Sequence, residues 1–134
     1  MLWARGAAIV ANDFHRNNVM IFGGLADLNP VNPWTWDGVN WTMQNPTTQP
    51  PWTYYSAASY YPGIQAIVTF GGGSAVNETW VWLGSDWREV PAQKPPPATN
   101  SQGMAYDYQS KQMIMFGGVT FTSFVSDTYQ LIIQ

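Results

Sequence analysis

The chain has 134 residues and a mass of 15.0 kDa, the size of one ordinary domain. Apolar residues make up 46% and charged residues only 10%, a balance that predicts a folded domain rather than a disordered chain. The net charge of -3 excludes a basic nucleic-acid footprint, zero cysteines exclude disulfides and thiolate sites, and one histidine, His15, excludes a multi-histidine metal site within one chain.

The N-terminus, Met1-Leu2-Trp3-Ala4-Arg5, lacks the charged and apolar regions of a signal peptide. No apolar run approaches the about 20 residues of a membrane-spanning helix, so a cytoplasmic location is the default expectation. The first predicted strand is Ala7–Ala11, and the second is Val19–Phe22 after a turn at Asn17-Asn18. A third, Trp34–Asp37, meets a fourth, Trp41–Gln44, through the hairpin signal Asp37-Gly38. The stretch from Asn45 to Pro51 is proline-rich, which resists strand pairing and predicts a loop. The same order then recurs as Ser56–Tyr60, Ala66–Phe70, Thr79–Leu83 and Trp87–Val90, with turns at Pro62-Gly63 and Gly84-Ser85. A second proline-rich loop, Pro91 to Pro97, leads to Gln102–Tyr106, Met113–Phe116 and Thr128–Ile133, with no fourth strand.

The recurrence is a repeat in register. Phe22-Gly23-Gly24 returns as Phe70-Gly71-Gly72 and Phe116-Gly117-Gly118, at spacings of 48 and 46 residues. Trp34, Trp36 and Trp41 return 46 residues later as Trp80, Trp82 and Trp87. Three units of about 1–47, 48–95 and 96–134 therefore make up a single domain. The run before each Phe is short and apolar without alternation, which predicts a strand buried on both faces. The Gly pairs provide positive φ and close backbone approach where that strand leaves its sheet. The six Trp are expected to fill the space between sheets. Asp13 and Asp107 are placed to cap turns, and His15 is expected at an uninvolved surface turn.

Arg5, Asn12-Asp13, Phe22-Gly23-Gly24 and Trp36-Asp37-Gly38-Val39-Asn40-Trp41 follow the order of the kelch repeat. So do Tyr106-Asp107, Phe116-Gly117-Gly118 and Asp127-Thr128-Tyr129. The second unit departs at Tyr60-Tyr61, and Thr53 and Thr99 stand where the kelch pattern has its Arg. The chain thus resembles the kelch family over essentially its whole length. The resemblance implies an all-β fold of three β-propeller blades, four-stranded and antiparallel, the third lacking its outer strand.

Propellers have about four to eight blades, so three do not close a ring. Met1 stands directly before the first strand, so no N-terminal strand is expected to complete the third blade. Two copies would give six blades, and a homodimer is the expected partner state. The alternative is a piece excised from a longer propeller. The expected junction faces lie near Val19, Ile21, Trp34 and Trp36 in blade one, and near Met113, Met115, Tyr129 and Leu131 in blade three.

The long connections, 25–33, 45–54, 92–100 and 119–126, share one end of the predicted blades. Their aromatic and polar residues are the candidate ligand-binding set: Trp52, Tyr54, Tyr55, Asn100, Phe121 and Phe124. Arg5 joins them at the expected channel mouth, where some kelch proteins contact ligands. The leading expectation is a non-catalytic binding module for a protein or peptide. The alternative is a carbohydrate-binding protein whose aromatics stack on sugar rings, with the amides of Asn29, Asn32, Asn45 and Asn100 reading hydroxyls. An enzyme is the third reading. Kelch-type galactose oxidase needs copper, His ligands and a Cys–Tyr crosslink, and kelch-type sialic acid epimerases need charged pocket residues. With no Cys and few charges, no cofactor and no catalytic residue are expected.

Overall fold

Each apolar segment pairs with its neighbour in the chain. The computed structural model describes residues 2–26, 32–51, 53–73 and 76–133. Sheet 1 contains β1 (Ile9–Asp13), β2 (Asn18–Phe22), β3 (Trp34–Trp36) and β4 (Trp41–Met43). Sheet 2 contains β5 (Ala57–Tyr61), β6 (Ala66–Phe70), β7 (Thr79–Trp82) and β8 (Trp87–Glu89). Sheet 3 contains β9 (Gly103–Asp107), β10 (Gln112–Phe116) and β11 (Thr128–Leu131). All pairings are antiparallel. Among the described residues the only helical element is one 3-10 turn, Pro62–Ile64, so the fold is all-β.

The first strand of each sheet starts one or two residues later than the sequence suggests. The reason lies at Ala7, Tyr55 and Ser101, one in each unit, which take φ values of 55, 56 and 58. At those positions the chain joins one sheet to the next. The Tyr55 N–H donates to the Ala7 carbonyl at 3.0 Å, and the Ser101 N–H donates to the Tyr55 carbonyl at 2.8 Å. β1, β5 and β9 consequently lie side by side, and the sheets splay outward from them.

Residues opposite each other in an antiparallel pair share a face, and neighbours along a strand alternate. On sheet 1, Ile9, Met20 and Phe22 pack against Ile67, Trp82 and Trp87 of sheet 2. On the other side of sheet 2, Ala66, Val68 and Val81 pack against Met113, Met104 and Leu131 of sheet 3. Sheet 2 is therefore the filling of a three-layer stack, and β6 is buried along its entire length. β2 and β10 are buried on one face only, because each belongs to an outer layer. The expected tryptophan packing holds for Trp82 and Trp87, with Trp80 at the edge of the same cluster. Trp34, Trp36 and Trp41 lie on the free face of sheet 1 and remain partly exposed.

This layering corrects the expected junction face of the third unit. Met113 and Met115 are buried, and Met113 and Leu131 pack toward sheet 2 inside the chain. The free face of sheet 3 carries Ala105, Ile114 and Phe116 instead, which alternate with those residues.

Turn residues behave as short polar caps. The Asp13 carboxylate accepts the Arg16 N–H at 3.2 Å and pairs with the Arg16 guanidinium at 2.9 Å. Asp107 accepts the Gln109 N–H at 3.0 Å. Asp37 accepts the N–H groups of Val39 and Asn40, both at 2.8 Å.

Candidate functional site

The antiparallel order puts residues 2–8, 53–56 and 100–102 at the same end of the stack as the segments leaving β2, β6 and β10. The structure therefore gathers Arg5, Tyr54, Tyr55, Asn100, Phe121 and Phe124 at one end. Trp52 and Asn29 lie outside the described residues. His15 sits at the opposite end, in the turn between β1 and β2.

Arg5 is tied to the backbone. Its guanidinium donates to the carbonyls of Gly23 at 3.2 Å and Trp3 at 3.4 Å, which braces the exit of β2. Partial burial lowers its pKa from the ordinary arginine value. Tyr54 and Tyr55 meet edge to face with ring centroids 5.7 Å apart. Tyr55 remains half exposed, held by the backbone bonds that link the three sheets.

The segment after Gly118 is a small ordered hairpin. Val119 bridges both Asn100 and Phe124. The Thr120 N–H donates to the Ser123 carbonyl at 2.9 Å, and the Thr120 hydroxyl caps the same turn. Its two aromatic rings are not packed: Phe121 is 85% exposed and Phe124 86%. Asn100 sits beside this hairpin through reciprocal backbone bonds to Val119 at 3.1 and 2.9 Å.

A second feature was not anticipated from the sequence. The first strands of all three sheets line a shallow groove of about 350 Å³. Its polar lining is Asn12, Ser59, Tyr60, Tyr106 and Tyr108, with Phe14 at one edge. The rings of Phe14 and Tyr60 lie 5.3 Å apart, and those of Tyr106 and Tyr108 lie 5.0 Å apart. Burial, then the Asp13 carboxylate, raises the Tyr60 phenol above the usual tyrosine range. Burial does the same for Tyr106. Asn12, Tyr60 and Tyr106 occupy the same position in each unit, at the repeat spacings of 48 and 46 residues. That register was the available signal. The groove offers neutral hydroxyls, one amide and aromatic faces, which suits hydrogen bonding and stacking.

No family model matches the chain. No curated protein matches it either. Among solved structures, YjhT superposes with a TM-score of 0.76 at 12% identity, over 98% of this chain and 44% of its own length. The chain thus spans under half the length of that protein, and the likeness is one of fold.

Proposed function

We propose that the chain is a kelch-type, non-catalytic binding module: three propeller blades whose ring is closed by further blades and whose loop end docks a protein or peptide. The observation that carries the reading is the hairpin after Gly118. Its backbone is fixed by hydrogen bonds, yet it holds two phenylalanines almost fully in water. Ordered loops that expose large apolar side chains are typical of recognition surfaces. The order of Gly pairs, Trp pairs and turn aspartates supports the kelch assignment, as does the stacking of three sheets about their first strands.

The test is binding to a displayed peptide library and to a glycan array, with the wild type and a Phe121→Ala/Phe124→Ala variant side by side. The reading expects peptide ligands bound by the wild type and lost in the variant. Peptide binding that survives both substitutions, or no peptide ligand at all, contradicts it.

A second reading, carbohydrate binding, is favoured by the groove of Asn12, Ser59, Tyr60, Tyr106 and Tyr108, whose neutral hydroxyls and ring faces complement a sugar. Glycan-array signal abolished by Tyr106→Ala but not by loss of the two phenylalanines would select it.

A further inference from the structure

The repeat provides a template for the missing junction. In each unit the first Gly of the pair has nearly the same φ: 68 at Gly23, 70 at Gly71 and 69 at Gly117. Two of these seats are filled by the next sheet. A Cβ on Gly23 would collide with the Thr53 carbonyl oxygen, and one on Gly71 with the Thr99 carbonyl oxygen. The following glycines donate to those same carbonyls, Gly24 to Thr53 at 2.8 Å and Gly72 to Thr99 at 2.9 Å. Around Gly117 the nearest atom to such a Cβ is the Val125 carbonyl oxygen, at 3.4 Å. The third seat has the same backbone φ and, among the described residues, no carbonyl from a following sheet in it.

The residue that would fill it is fixed by register. Thr53 and Thr99 lie 48 and 94 residues beyond Arg5, in step with the Phe-Gly-Gly spacings. The Arg5 carbonyl is therefore the repeat equivalent of both seated carbonyls. The bonds that join sheet to sheet agree: they run from Ser101 to Tyr55 to Ala7, so their two ends are the Ser101 carbonyl and the Ala7 N–H.

The side chains give the same answer. At the boundary of sheets 1 and 2, the Phe22 ring lies 5.0 Å from Trp87, which itself lies 5.2 Å from Trp82. The equivalents are Phe116, 56% exposed on the free face of sheet 3, and Trp41 with Trp36 on the free face of sheet 1. Trp36 and Trp41 already form the same tilted pair, with centroids 5.6 Å apart. One end of the stack carries the insert and the other end carries its receptor.

We infer that a second copy of this chain closes the ring, with Phe116 and Gly117 of each copy receiving Trp41 and the Arg5 carbonyl of the other. This rests on the propeller reading above. Two copies of these three blades make six, within the about four to eight of closed propellers. Both junctions form at once about a two-fold axis, so the contact closes rather than propagating.

Sedimentation at micromolar to tens of micromolar concentration tests this with three proteins: wild type, Gly117→Ala and Phe116→Arg. Phe116 is exposed within the chain, and Gly117 has room for a methyl group there, so both variants are expected to stay folded. A melt followed by circular dichroism checks it. Gly38→Ala, which has positive φ and open space, controls for backbone strain alone. The wild type and Gly38→Ala should sediment at twice 15.0 kDa. The other two should dissociate about 30-fold more readily, or more. A folded wild-type monomer overturns ring closure by a second copy. A dimer indifferent to both substitutions overturns this junction while leaving the binding reading, tested on peptides, untouched.

Discussion

The rings of Phe22 and Trp87 lie 5.0 Å apart across the boundary between sheets 1 and 2, and both side chains are buried. Phe22 comes from the second strand of its sheet and Trp87 from the fourth strand of the next. One contact therefore spans the depth of the layer. Phe22→Ala removes the ring and leaves a cavity against Trp82 and Ile67. The expected cost is about 3–5 kcal/mol, read from urea denaturation. A loss below about 1 kcal/mol would show that the sheets are not held by this cluster.

The glycine seats make a separable prediction. Gly71→Ala and Gly38→Ala both place a side chain at positive φ, but only Gly71 faces a carbonyl of the neighbouring sheet. Gly71→Ala should cost about 1–3 kcal/mol beyond Gly38→Ala, the usual range for forced overpacking. Equal losses in denaturation would mean that Thr99 moves aside freely.

Acid stability should depend on Asp86. Its carboxylate accepts the Thr47 hydroxyl at 2.6 Å and the Thr48 N–H at 2.7 Å, which ties the loop before sheet 2 to the turn between β7 and β8. The Thr47 hydroxyl, then the Thr48 N–H, holds its pKa below the usual carboxylate value. A depressed folded-state pKa gives stability that is full above the unfolded value, about 3.9, and lost as pH falls through the folded value. Carboxyl-carbon titration by NMR should place the Asp86 midpoint below the usual value. In Asp86→Asn the drop in stability below about pH 4 should be shallower. A midpoint at or above the ordinary aspartate value contradicts this.

Phe121→Ala/Phe124→Ala should leave folding unchanged to within about 0.5 kcal/mol, since both rings are in water. Thermal melts check this. A loss beyond about 1 kcal/mol would mean the rings are packed, and the recognition role would fall with it.

Much of the architecture is legible in residue spacing, because Gly pairs and Trp pairs mark where a strand must leave a sheet and where sheets must pack. The strand starts are less legible. Ala7 and Ser101 take positive φ although nothing in their side chains requires it, because the sheet-to-sheet hydrogen bonds impose it. The apolar runs before each Phe look alike in sequence, yet only β6 is buried on both faces. The choice between Met115 and Phe116 as the free face of β10 depends on parity, and both faces are apolar, so hydrophobicity could not decide it. The gathering of Arg5, Tyr54, Tyr55, Asn100, Phe121 and Phe124 at one end follows from strand order alone. The groove does not, because it forms only when three first strands lie side by side.

The inferred ring requires the free faces of sheets 1 and 3 to meet between two copies of the chain. An isotope-filtered NOE experiment on a mixture of labelled and unlabelled chains tests it most directly, after unfolding and refolding together. Cross-peaks between the Phe116 ring of one copy and the Trp41 indole of the other are the predicted result. A well-folded sample at the same concentration that shows only contacts within each chain would contradict it.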